Sequence, residues 1–227
     1  MVHSTQVQLA SLSTTWPNTE NPISQGGLFL QGGSDGSDWQ NTQSVGGSPG
    51  IARATGTSAI GAFNDNICCL KQSMFSISPT KHYSQGTFHV AAGYSPAVTH
   101  ETGLYTCLSI SAHVAKGYEM NWGFGQGVQP VRWNGALGDF DASPFTTVSG
   151  SAFGVADGDV VKVTFDSSSG SPVITMQNIT QSLTFVVTDT TAGKVLTGQP
   201  GFGFFGHPDA SLDFTKYCLQ GWAAGSA

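Results

Sequence analysis

The stretch Leu104-Tyr105-Thr106-Cys107-Leu108-Ser109-Ile110 sets Leu104, Thr106, Leu108 and Ile110 against Tyr105, Cys107 and Ser109. A period of two fits a β-strand with two distinct faces and does not fit a helix. Downstream, Tyr118-Glu119-Met120-Asn121-Trp122 repeats the pattern, with Tyr118, Met120 and Trp122 on one face and Glu119 and Asn121 on the other. A Gly-rich link over residues 123–127 leads into residues 128–133, where Arg132 points opposite to Val131 and Trp133. Asn134-Gly135 adds a turn signal, and the segment reads as a hairpin.

Outward from this centre the same grammar recurs. Residues 160–165, 173–177 and 183–188 are alternating apolar runs separated by Ser167-Ser168-Ser169-Gly170 and by residues 178–181, which predicts consecutive antiparallel strands. A last pair, residues 201–206 and 211–214, is expected to close the sheet. Toward the N-terminus, strands are expected at residues 28–30, 67–70, 75–77 and 87–91, with a long turn-rich loop over residues 31–38. No helix longer than a single turn is expected. Residues 1–20 read as an N-terminal arm or edge strand, and residues 21–227 as one jelly-roll β-sandwich domain.

Composition supports an all-β reading. Only 10% of residues are charged while 39% are hydrophobic, with 14 Phe and 5 Trp. Such a chain has apolar surface for a core and few residues of the kind that build surface helices. The formal net charge is −6 with 8 Lys plus Arg, scattered singly. No basic patch is present to neutralise phosphates, so nucleic acid is an unexpected partner. The opening residues carry no basic-then-apolar export pattern, and no apolar run reaches bilayer length, so membrane insertion is not expected. Cys68, Cys69, Cys107 and Cys218 lack Cys-x-x-Cys spacing and read as buried free thiols.

Several stretches, in order, resemble the concanavalin A-like lectin/glucanase superfamily, which includes laminin G-like jelly rolls found in bacterial and phage surface proteins. They are Glu20-Asn21-Pro22-Ile23-Ser24, Gly117-Tyr118-Glu119, Val131-Arg132-Trp133-Asn134-Gly135, Asp157-Gly158-Asp159-Val160 and Gly198-Gln199-Pro200-Gly201-Phe202-Gly203. Where such members carry an Asn-Gly hairpin, this chain has Asn178-Ile179-Thr180-Gln181. The resemblance implies two packed antiparallel sheets, one face open to a ligand, and an association with glycan binding or surface display.

Catalytic patterns are weak. Glucanases of that superfamily carry Glu-x-Asp-x-Glu, whose carboxylates at i, i+2 and i+4 share one strand face; this chain has no such triple. Asp139-Phe140-Asp141 and Asp157-Gly158-Asp159 read as turn and capping residues. His100-Glu101 and His207-Pro208-Asp209 read as loop-end polar groups. The literal Gly-x-Gly-x-x-Gly of residues 201–206 opens no helix, so its glycines read as places where strands pass closely. No catalytic residue and no cofactor is expected. A structural calcium ion on Asp35, Asp38, Asn41 or the Asp139/Asp141 loop is the one metal considered.

For a ligand, the candidate residues are Trp39, Glu119, Arg132, Trp133 and Asn134. An indole stacks on the C–H face of a pyranose while neighbouring polar groups take its hydroxyls. The same aromatics also fit a core, with Glu119 and Arg132 as a cross-strand ion pair. The expected function is a non-catalytic structural or recognition sandwich on a larger particle, such as a phage-type virion decoration, fibre or tail part, self-associating or bound to other subunits. The alternative is a carbohydrate-binding lectin-like module, and the third reading is a polysaccharide hydrolase or lyase.

Overall fold

The computed structural model describes residues 8–34, 38–55, 65–94, 100–123, 127–142, 153–206 and 213–227. Among them the chain is all-β. It comprises two antiparallel sheets, and the one helical element is the 3-10 turn Gln72–Met74.

The 8-stranded sheet runs β13 (Leu183–Thr188), β12 (Val173–Asn178), β11 (Val160–Asp166), β6 (Lys81–Val90), β15 (Tyr217–Ser226), β4 (Ile51–Ala54) and β3 (Thr42–Val45), with β1 (Ser11–Thr14) paired to β15. The 7-stranded sheet runs β10 (Phe140–Asp141), β9 (Gly127–Gly135), β8 (Val114–Gly123), β7 (His100–Ser111), β14 (Gln199–Gly206), β5 (Asn66–Leu70) and β2 (Phe29–Gln31).

The inner faces meet in one core. On β11, Val161, Val163 and Phe165 are buried while Val160, Lys162 and Thr164 are only partly so, the signature of a half-buried strand. From the other sheet, Tyr118, Met120, Trp122, Leu104, Phe202 and Phe204 join them. The four cysteines are buried free thiols. The Asn178 turn closes without glycine: Gln181 N–H donates to Asn178 Oδ1 at 3.1 Å, and Ser182 takes φ 58°.

Several expectations are corrected. Of the two alternatives for the N-terminal segment, residues 11–14 take the strand: they pair with residues 222–225 of β15, and Trp16 just beyond them is fully buried. Residues 75–77 form no strand; Phe75 makes a single bridge to Leu9. β6 begins at Lys81, well before residue 87, because its first half alternates His82 and Ser84 inward instead of apolar residues. Phe214 lies in a turn whose Lys216 N–H donates to the Asp213 carbonyl at 3.0 Å, and residues 211 and 212 lie outside the described residues. The chain's last strand is instead β15, where a register shift between Leu219 and Gly221 breaks the alternation. Tyr217 and Leu219, then Trp222 and Ala224, all reach the core across that bulge, so no period-two pattern marks the strand.

The opening stretch holds the second correction of this kind. β7 is one strand, but its register against β8 shifts between Thr106 and Ser109, and Cys107 takes φ 57°. Leu108 therefore packs with Tyr105 on the outer face and not with Leu104, while Cys107 turns into the inner core. Two groups hold the bulge. The Cys107 N–H donates to His82 Nε2 at 3.0 Å, and Gly117 (φ 150°) lies where a Cβ would come within 2.8 Å of the Cys107 carbonyl oxygen.

Candidate functional site

The site is on the outer face of the 7-stranded sheet. Antiparallel register places Tyr105 opposite Glu119 and Gly103 opposite Asn121 between β7 and β8. Glu119 lies opposite Val131 and Asn121 opposite Gln129 between β8 and β9. Phe205 of β14 lies opposite Glu101, and Asp65 immediately precedes β5. Asp65, Glu101, Glu119, Asn121, Gln129, Val131, Trp133, Phe140 and Phe205 together line a cleft of about 120 Å³.

The two glutamates lean together. Glu101 starts from one side of the Gly103–Asn121 pair, and its Oε2 accepts from Asn121 Nδ2 at 2.6 Å. Glu119 starts from the other side, and its Oε1 would lie 2.5 Å from a Cβ on Gly103. Glycine at 103 is thus what lets the Glu119 carboxyl lie across the sheet floor. At 203, a Cβ would come within 2.7 Å of the Tyr105 ring, so that glycine does the same for Tyr105. Glu119 Oε2 accepts from Trp133 Nε1 at 2.9 Å, which fixes it against the aromatic wall. Trp133 packs edge-on against Trp39 at 5.4 Å between ring centroids and tilted against Phe140 at 5.2 Å.

Burial governs the electrostatics. The Glu101 carboxyl is pushed up to about 8, first by desolvation and then by the charge of Glu119, with the Asn121 hydrogen bond opposing. Desolvation likewise raises Glu119, and it raises Asp65, to which the charges of Glu119 and Glu101 add. Carboxyls in one dry site cannot all ionise, so the group retains protons near neutrality. Asp65 Oδ2 and Asn121 Oδ1 have no hydrogen-bond partner among the described residues. The arrangement can therefore hold a proton on one carboxyl, accept hydrogen bonds from a ligand, and flank it with aromatic rings.

Of the residues read from the sequence, Glu119 and Trp133 line the cleft. Trp39 does not: at 1% exposure it backs Trp133 from within the outer-face cluster. Arg132 and Asn134 belong elsewhere. Arg132 is opposite Tyr118 on β8 and so lies on the face away from Glu119, which excludes a Glu119–Arg132 ion pair. Its partners are Asp189 at 2.7 Å, Asp141 at 2.5 Å, Thr191 and, through Nε, Asn134 at 3.0 Å. Asn134 Nδ2 in turn donates to Asp141 Oδ2 at 3.0 Å.

Asp65, Glu101, Asn121, Gln129, Phe140 and Phe205 were not singled out by the sequence reading as a site. Glu119 and Asn121 at i and i+2, opposite a wholly apolar face, were the available signal. Glu101 is no loop-end residue: it lies in β7 with its carboxyl buried. The glycines of residues 201–206 do mark close passage, since a Cβ at Gly203 would be 2.6 Å from the Asn66 carbonyl oxygen. Asp159 fulfils a turn role, accepting from Ala156 N–H at 2.7 Å and Asn178 Nδ2 at 2.8 Å.

Of the calcium candidates, Asp38 pairs with His113 at 2.8 Å and Asn41 Oδ1 accepts from Ser34 N–H at 2.8 Å. Among the described residues no cluster of three or more His, Cys, Asp or Glu is arranged to hold a metal ion. Asp35 and residues 207–209 lie outside the described residues.

No known protein family matches the sequence, and no curated protein matches it. Among solved structures the chain is similar to peanut lectin with a 9mer peptide, at 14% identity and TM-score 0.46, covering 96% of this chain and 97% of that one. It is similar to arcelin-5, a lectin-like defense protein from Phaseolus vulgaris, at 12% identity and TM-score 0.46, covering 96% and 99%. A Scytalido-glutamic peptidase matches at 10% identity and TM-score 0.34, over 63% of this chain and 68% of that one.

Proposed function

We propose that the chain is a carbohydrate-binding sandwich and that its ligand sits in the Asp65–Glu101–Glu119 cleft. One observation carries the reading: in a single cleft, carboxyl and carboxamide oxygens, two of them without a donor, meet the aromatic side chains Trp133, Phe140 and Phe205. A sugar ring offers hydroxyl donors around its rim and an apolar C–H face, which is the complement of that lining. Titration of the purified protein with a panel of monosaccharides and short glycans, followed by calorimetry, tests it. Saturable binding that weakens at least tenfold in Glu119→Gln supports the reading; binding unaffected by that change removes the cleft from it.

A second reading, glycosidic-bond hydrolysis, has its own support. Glu101 holds a proton near neutrality beside a second carboxyl on the adjacent strand, and acid–base cleavage of a glycosidic bond needs such a pair. Release of reducing ends from a polysaccharide panel, abolished in Glu101→Gln, would support it. Binding without turnover would leave the lectin-like reading alone.

A further inference from the structure

The cleft's carboxyls have no cationic partner among the described residues. Asp65, Glu101 and Glu119 line it together, yet none of the chain's 8 Lys and Arg residues pairs with them. Lys81 holds Asp166, Lys216 holds Asp213, and Arg132 holds Asp141 and Asp189. Lys162 lies over the Tyr83 ring at 4.4 Å. Arg53, Lys71, Lys116 and Lys194 form no ion pair among the described residues. Buried carboxyls are ordinarily paired with a cation or kept neutral; among the described residues no cation pairs with these, and burial keeps them protonated until one arrives.

Two further features point to what would supply it. Asn121 and Asp65 are each 5% exposed, and Asn121 Oδ1 and Asp65 Oδ2 have no donor among the described residues. Asn121 Oδ1 is an acceptor, and Asp65 Oδ2 becomes one when its carboxyl ionises, so a ligand that brings N–H donors together with positive charge satisfies both. The walls Trp133, Phe140 and Phe205 are aromatic, and ring faces attract a desolvated cation.

We propose that the cleft selects a ligand bearing an ammonium group, which within the carbohydrate reading is an amino sugar with a free amine. The N–H groups of an ammonium satisfy Asp65 Oδ2 and Asn121 Oδ1. Its charge stabilises ionised Glu119, Asp65 and Glu101, so binding near neutrality expels protons from the site. A neutral sugar of the same shape can donate hydroxyls to these oxygens, but it brings no charge and expels no protons.

This rests on the carbohydrate reading, and the test separates the two. Calorimetry at pH 7, in two buffers of different ionisation enthalpy, compares glucosamine, glucose, methylammonium and calcium chloride. The expected result is glucosamine binding at least tenfold tighter than glucose, with a buffer-dependent heat that reports proton release. Glu119→Gln and Asp65→Asn should each cut that preference several-fold. If either fails to fold, proton release by the wild-type protein still decides.

Equal affinity for glucose and glucosamine overturns the ammonium selection and leaves the carbohydrate reading standing. Methylammonium binding with no sugar binding keeps the selection and removes the carbohydrate reading. Calcium binding with proton release and no ammonium affinity overturns the selection in favour of a metal ion. No binding by any probe overturns both.

Discussion

Gly103 shows how a single missing side chain shapes the site. A methyl there would meet Glu119 Oε1 at 2.5 Å and the Tyr105 ring at 3.1 Å, so Gly103→Ala displaces a carboxyl end that is itself held by Trp133. The expected cost is about 1–2 kcal/mol by urea denaturation, the range of small overpacking changes, together with loss of glycan binding. Arg132 is the opposite case, a residue that looks like part of the site and is not. Burial raises the Asp189 carboxyl, but hydrogen bonds from Thr191, Tyr118 and Arg132 outweigh it and hold it below the usual carboxylate range. Arg132→Met leaves that fully buried carboxylate without its cation and is expected to cost about 3–5 kcal/mol. Arg132→Met combined with Asp189→Asn should recover part of the loss in the same denaturation experiment, as expected for a pair and not for a ligand-binding residue.

Strand β7 carries the site through an irregularity. His82 accepts the Cys107 N–H through Nε2, while Nδ1 donates to the Ser78 carbonyl at 2.9 Å; the ring stacks on Phe165 at 5.2 Å. This requires a neutral imidazole, and burial lowers its pKa to about 4. His82→Leu leaves the Cys107 N–H unpaired and is expected to cost about 1–3 kcal/mol. Amide hydrogen exchange should show the protection of Cys107 falling more than that of Leu104, on the same strand before the bulge; a uniform fall along β7 would mean the histidine has no local role.

The two ionisable systems pull the stability of the whole molecule in opposite directions. His82 and His100 are both lowered to about 4 by burial, so the unfolded chain takes up their protons more readily. Their contribution is intact above about pH 6.5 and is lost as pH falls toward 4. Glu101, raised to about 8, binds its proton more tightly when folded. Its contribution is intact below about pH 4.5 and is lost as pH rises through 8. Above about pH 6.5 the loss from Glu101 outweighs what the histidines still gain, so stability should peak near pH 6.5 and fall by about 1 kcal/mol by pH 8. In Glu101→Gln that alkaline decline should flatten in melting curves recorded across pH, while the acid limb stays. An unchanged alkaline limb would show that Glu101 ionises normally.

Much of the architecture was legible in residues alone. Alternation along residues 118–122 and 160–188 depends only on which side of a strand each Cβ takes, a property of the local backbone, and the all-β sandwich follows from it. The face carrying Glu119 and Asn121 was legible for the same reason, as was the core position of Trp122. Tertiary structure alone decided where that alternation breaks, at Cys107 and between Leu219 and Gly221, because a bulge is set by hydrogen bonds to distant partners such as His82. It alone decided that Asp65, Glu101 and Glu119 converge, since they come from the approach to β5, from β7 and from β8. Cross-strand register brings such residues together, and register is a property of paired chains that no single segment encodes.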